Sequence, residues 1–136
     1  MKILKLNFSN LNSLKGKFSI DFESPALANA GLFAITGPTG AGKSTILDAI
    51  TLALYSYTPR LGGISKNSIT EKGIIVTKHT KEAFAHLVFE VDNFKYKAEW
   101  AIAITNRGNW GDIKHKLSRE EGGAFVSITQ NTSGTV

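Results

Sequence analysis

Eight consecutive residues, Gly37-Pro38-Thr39-Gly40-Ala41-Gly42-Lys43-Ser44, fit the pattern G-x-x-x-x-G-K-[ST]. A triphosphate needs many hydrogen-bond donors around its oxygens and no bulky groups against them. Gly37, Gly40 and Gly42 lack Cβ atoms and admit left-handed backbone, so successive N–H groups can curl toward one point. A helix that starts near Lys43 aims its unpaired N–H groups and positive dipole end at that same point. Lys43 then sets a mobile positive charge against the β- and γ-phosphates. The Ser44 hydroxyl completes the shell of a magnesium ion, which prefers oxygen ligands. Pro38 stiffens the loop and Thr39 adds a side-chain contact. The expected binding set is Gly37, Pro38, Thr39, Gly40, Ala41, Gly42, Lys43, Ser44 and Thr45, with ATP and Mg2+ as cofactors and Ser44 on the metal.

Such a loop works only between a strand and a helix. The apolar run Leu32-Phe33-Ala34-Ile35 leads in, without alternation, as in a strand covered on both faces. Ile46, Leu47, Ile50, Ala53, Leu54 and Tyr57 recur at helical spacing and predict a helix to about Ser56 whose apolar stripe is core; Thr58-Pro59 stops it. Upstream, Leu4, Leu6 and Phe8, then Phe18, Ile20 and Phe22, alternate with polar residues around the turn Asn10-Leu11-Asn12-Ser13, which reads as an antiparallel hairpin. Residues 61–82 are polar and predict a surface loop with one short helical turn near Ser68 to Lys72.

Downstream the pattern is β. Ala85, Leu87, Phe89 and Val91 share one face, Asp92-Asn93 forms a tight turn, and Phe94, Tyr96, Ala98, Trp100, Ile102 and Ile104 alternate along the returning strand. A second hairpin is expected from Ile113 to Leu117 and Phe125 to Ile128, around Glu120 to Gly123. The fold class is therefore α/β: a strand–phosphate-loop–helix core with its leading hairpin over 1–60, a loop over 61–82, an antiparallel β meander over 83–130, and a frayed tail over 131–136.

With 136 residues the chain suits one domain with a real core. It has no cysteine, which excludes a disulfide framework and thiolate metal sites. No apolar run is long enough to span a bilayer and the start is too charged for a signal-peptide core, so a cytoplasmic protein with no membrane partner is expected. The net charge of +5 permits contact with nucleic acid. Lys95 and Lys97 share one face of a strand and Lys114 and Lys116 share one on another. If these strands are neighbours, the lysines form a basic surface; edge lysines that block aggregation are the plainer reading.

Residues for turnover are harder to find. Phosphoryl transfer needs a positioned water as well as charge compensation. Asp48 lies one turn after Ser44 and is within reach of a magnesium shell, but a helix-surface or capping role is favoured. Glu82, Glu90 and Glu99 read as solvent-facing. His79, His86 and His115 lack the spacing of a helical zinc site. Trp100 belongs to an apolar strand face; Trp110 is less explained. No catalytic residue is assigned. A self-contained small phosphate-loop NTPase and a non-enzymatic DNA-binding β module stand as alternatives.

Two strands ahead of the loop suit the heads of ABC-type ATPases. Several segments sharpen this: Met1-Lys2-Ile3-Leu4-Lys5-Leu6, Asn10-Leu11-Asn12-Ser13-Leu14-Lys15-Gly16, Gly31 through Lys43, Leu47-Asp48-Ala49-Ile50, Leu52-Ala53-Leu54-Tyr55 and Thr58-Pro59-Arg60-Leu61. In these the chain resembles the N-terminal piece of SbcC, the ATPase subunit of the bacterial SbcCD exonuclease, in the SMC-like group. The likeness is specific over the first half, looser from Phe89 to Trp100, and faint beyond.

The resemblance implies a head built from two distant pieces of one chain, two such heads sandwiching ATP as a homodimer, and control of an SbcD-like nuclease subunit acting on DNA. It places the ABC signature, the acidic pair and a switch histidine in the other piece. These 136 residues contain no Leu-Ser-Gly-Gly and no apolar run ending in Asp-Glu, so ATP binding without efficient turnover is expected. Gln130 lacks the surroundings of the family's glutamine loop. Asn12 stands where some distant relatives carry a basic residue near the nucleotide.

Overall fold

The computed structural model describes residues 1–24 and 43–128. The strand expected at 32–35, Gly37 to Gly42 of the phosphate loop and the tail from 129 onward lie outside the described residues.

Alternating apolar residues make the sheet. Strands β1 (Lys2–Leu11), β2 (Leu14–Asp21), β5 (Glu82–Val91), β6 (Phe94–Ala103), β7 (Lys114–Glu121) and β8 (Ala124–Ser127) form one six-stranded sheet in the order β2-β1-β5-β6-β7-β8. Every neighbouring pair is antiparallel. The leading hairpin and the later meander are thus one layer, joined where Leu6 faces Leu87 and Phe8 faces Ala85. Asp92 and Asn93 have φ of 51° and 69°, the left-handed pair that a two-residue hairpin demands and that Asn and Asp tolerate. The β7–β8 turn is made by Gly122 and Gly123.

Helix α1 (Lys43–Tyr55) lies across β1, β5 and β6. Its fully buried stripe is Ala49, Leu52 and Ala53, with Ile46, Ile50 and Leu54 partly buried beside it. This corrects the expected stripe. Leu47 is 53% exposed, and Tyr57 has left the helix and is 42% exposed. Phase decides, not size: small Ala49 and Ala53, one turn apart, meet Ala83, Ala85 and Ala98 of the sheet in a single buried cluster. Trp100 belongs to the same cluster; it is fully buried and its indole N–H donates to Ser56 Oγ at 3.0 Å.

The helix stops before Pro59. Ser56 turns left-handed at φ 51°, its N–H donates to Leu52 O at 2.9 Å, and its hydroxyl donates to Ile64 O at 2.8 Å. His115 Nε2 reaches Ala53 O at 2.7 Å; a carbonyl only accepts, so Nε2 carries the proton and satisfies a carbonyl of the last helical turn.

Residues 61–82 are better anchored than their polarity suggests. A two-strand ribbon pairs β3 (Tyr57–Thr58) with β4 (Gly62–Gly63), and a short helix α2 (Lys66–Thr70) follows. Ile64, Ile69 and Ile75 enter the core as single buried residues. Trp110 bridges to Ile104 and packs against the core, which accounts for it.

Candidate functional site

The backbone of α1 begins at Lys43, which sets Ser44 and Thr45 in its first turn. Ser44 is exposed there, open to a ligand, whereas Thr45 is buried. An exposed hydroxyl at the amino end of a thirteen-residue helix fits an oxygen-seeking cation that bridges phosphates.

What holds that turn is a polar cluster that no sequence motif announces. Asn12, in the β1–β2 turn, donates its side-chain amide to Thr45 Oγ1 at 3.1 Å and to Asp48 Oδ2 at 3.0 Å. The amide has two N–H donors and meets two acceptors. Asn12 is itself fixed. Its φ is 51°, its N–H donates to Ile75 O at 2.7 Å, and its carbonyl accepts the Thr77 hydroxyl at 2.8 Å. Asn10, just before it, donates to Glu82 O at 2.8 Å and accepts the Gly16 N–H at 2.7 Å. The turn is therefore pinned to the start of β5 as well as to the helix.

Asp48 is the main correction. In place of the expected helix-surface or capping position it is buried, and its carboxylate sits between Asn12 and Arg60. The Arg60 guanidinium approaches Asp48 Oδ2 at 3.5 Å from the β3–β4 loop; the side chains are 61% and 5% exposed. With both partners engaged on Oδ2, the carboxylate acts as an anchor for neighbouring elements. Asp48 shares a helix face with the buried Thr45, three residues before it, but nothing in the sequence alone marks that face as buried.

The lysine pairs expected on the sheet do lie on neighbouring strands and on one face, away from α1. Lys95 and Lys97 alternate with the buried Ala98 and Trp100, and Lys114 and Lys116 stand opposite Ala101 and Glu99. They are interleaved with acids. Lys97 contacts Glu99 at 3.1 Å, Glu99 stands opposite Lys116, and Glu90 stands opposite Lys95. His86 stacks on Phe84 on that face, with ring centroids 4.6 Å apart; burial holds its imidazole below the ordinary histidine range, opposed by the Glu99 charge. Among the described residues no group of His, Cys, Asp and Glu is arranged to hold a metal ion, and no helix is long and apolar enough to cross a membrane.

The six-stranded antiparallel sheet carries α1 on one face, and in the sequence the glycine-rich motif stands immediately before that helix. Residues 5–135 match the AAA domain family, and the chain belongs to it. Within that family its similarity is to SbcC. The chain is 43% identical to the SbcC component of the SbcCD nuclease of Pseudomonas aeruginosa over 74% of its length, and 36% identical to that of Rhodobacter capsulatus over 100%. It is also 35% identical over 73% of its length to a probable DNA double-strand break repair Rad50 ATPase of Aquifex aeolicus. The chain spans 9%, 12% and 9% of those relatives, about a tenth of each.

Proposed function

We propose that this chain binds Mg-ATP through Gly37, Pro38, Thr39, Gly40, Ala41, Gly42, Lys43, Ser44 and Thr45, and forms the phosphate-loop lobe of an SbcC-like, ABC/SMC-type ATPase head. The observation that carries this reading is the start of α1. A helix beginning at Lys43, directly after the glycine-rich motif, presents an exposed Ser44 while its next residues are clamped by Asn12. The backbone N–H groups of the loop and first turn would cradle the phosphates, and Ser44 would hold magnesium. Bound Mg-ATP supplies the transferable phosphoryl group.

Turnover needs a water-positioning group and an acidic metal ligand. The anchored Asp48 supports neither role. The chain in isolation is expected to bind ATP and turn it over poorly, because the resemblance to SbcC places the acidic pair in another piece of the head. In the complete protein, closure of two such heads around ATP would control an SbcD-like nuclease subunit on DNA, a role in keeping with the names of the relatives. The outer sheet face, with Lys95, Lys97, Lys114 and Lys116, is the proposed DNA-facing side, tempered by Glu90 and Glu99.

The test is a calorimetric titration of the 136-residue chain with ATP, with and without magnesium. Binding should weaken roughly tenfold or more when magnesium is chelated or when Ser44 becomes alanine, since the metal shares the phosphate charge. Affinity indifferent to both would remove Ser44 and the metal from the site.

A further inference from the structure

Asn12 and Asp48 are joined across the boundary between two elements that neither periodicity nor the phosphate-loop motif links. We propose that this pair positions the first turn of α1 for Mg-ATP, so that Asn12 and Asp48 act as positioning residues through Thr45 and the adjacent Ser44. The inference rests on the Mg-ATP reading above.

The geometry supports a positional role in three ways. Asn12 spends both amide hydrogens on the helix, one on Thr45 Oγ1 and one on Asp48 Oδ2, so it fixes two points one turn apart. Those points are buried, where an unmade polar contact costs more than it does in water. The donor cannot drift, because its backbone is held on both sides by Ile75 and Thr77. A left-handed backbone at this position suits Asn better than most side chains, which explains why one residue serves both the turn and the clamp. Arg60 completes the set by offsetting the buried Asp48 charge from the solvent side.

A small shift of a binding turn costs much affinity, because its donors no longer meet the ligand at hydrogen-bond distance. Removing the clamp should therefore weaken Mg-ATP more than it lowers stability. The discriminating variant is Asn12→Asp, nearly isosteric, which sets a second carboxylate against Asp48. Its reciprocal partner is Asn12→Asp with Asp48→Asn, which restores a carboxylate–amide pair with the donor now on the helix.

The experiment measures Mg-ATP dissociation constants and thermal midpoints for the wild-type chain, the single variant and the double variant. Asn12→Asp should raise the dissociation constant about tenfold and the reciprocal double variant should recover most of that loss, as coupled neighbours do in a double-mutant cycle. Should Asn12→Asp alone not fold, the double variant decides: it must fold and bind within about threefold of wild type. Wild-type affinity in Asn12→Asp, or no recovery in the double variant, overturns the proposal. A wild-type chain that binds no Mg-ATP overturns the parent reading and the positioning role with it.

Discussion

Replacing Lys43 by alanine should lower Mg-ATP affinity at least about a hundredfold, close to 2.7 kcal/mol, and leave the thermal midpoint near that of wild type. The reasoning is electrostatic. A phosphate-loop lysine is a point charge on the β- and γ-phosphates, and losing it leaves that charge uncompensated. Arg60, a cation beside α1, is already turned toward Asp48. Stability should hold because Lys43 opens α1 and alanine is the better helix former. Calorimetry paired with circular dichroism separates the two effects. Retained affinity in a folded Lys43→Ala chain would move the triphosphate away from this loop.

Trp100→Ala should have the largest effect on the fold. The indole is fully buried in the core cluster that also holds Ala49, Ala53, Ala85 and Ala98, with Ala85 as its cross-strand partner and Ser56 at the end of α1 as its hydrogen-bond acceptor. Those small residues allow the close approach, and they cannot expand to fill the space the indole leaves. Loss of a buried large aromatic costs about 3–5 kcal/mol, against a typical total of roughly 5–15 kcal/mol for a domain. Ser56 also loses the donor at 3.0 Å that helps hold the end of the helix. Urea unfolding should show a midpoint shifted far down or a lost cooperative transition. Trp100→Phe keeps most of the ring and should be milder. A midpoint within experimental error of wild type in Trp100→Ala would contradict the packing described for this core.

These two residues also show what a sequence displays. Trp100 is legible because Tyr96, Ala98, Trp100 and Ile102 alternate with Lys97, Glu99 and the small Ala101 along a strand, and Asp92-Asn93 fixes the register of the hairpin locally. The phosphate-loop motif is equally local: eight adjacent residues state their chemistry without help from the fold.

Asp48 is not legible in this way. Its burial depends on Asn12, 36 positions away, and on Arg60, 12 positions away, and no periodicity links them. The joining of the leading hairpin to the meander has the same character, since β1 and β5 are far apart in the chain. Ile64, Ile69 and Ile75 escape notice because isolated apolar residues in a polar stretch carry no period, and only the completed fold buries them. In the helix stripe, bulk misleads where phase decides, so Leu47 is expected inside where Ala49 belongs.

Hydrogen–deuterium exchange of the 136-residue chain, with and without saturating Mg-ATP, tests the central claim most directly. If the loop and the head of α1 hold the phosphates, amides from Gly37 through Ile46 should slow markedly on ligand addition, while the β6–β7 region stays unchanged. Binding with unchanged exchange at Gly37 to Ile46, or protection confined to another part of the sheet, would contradict the account.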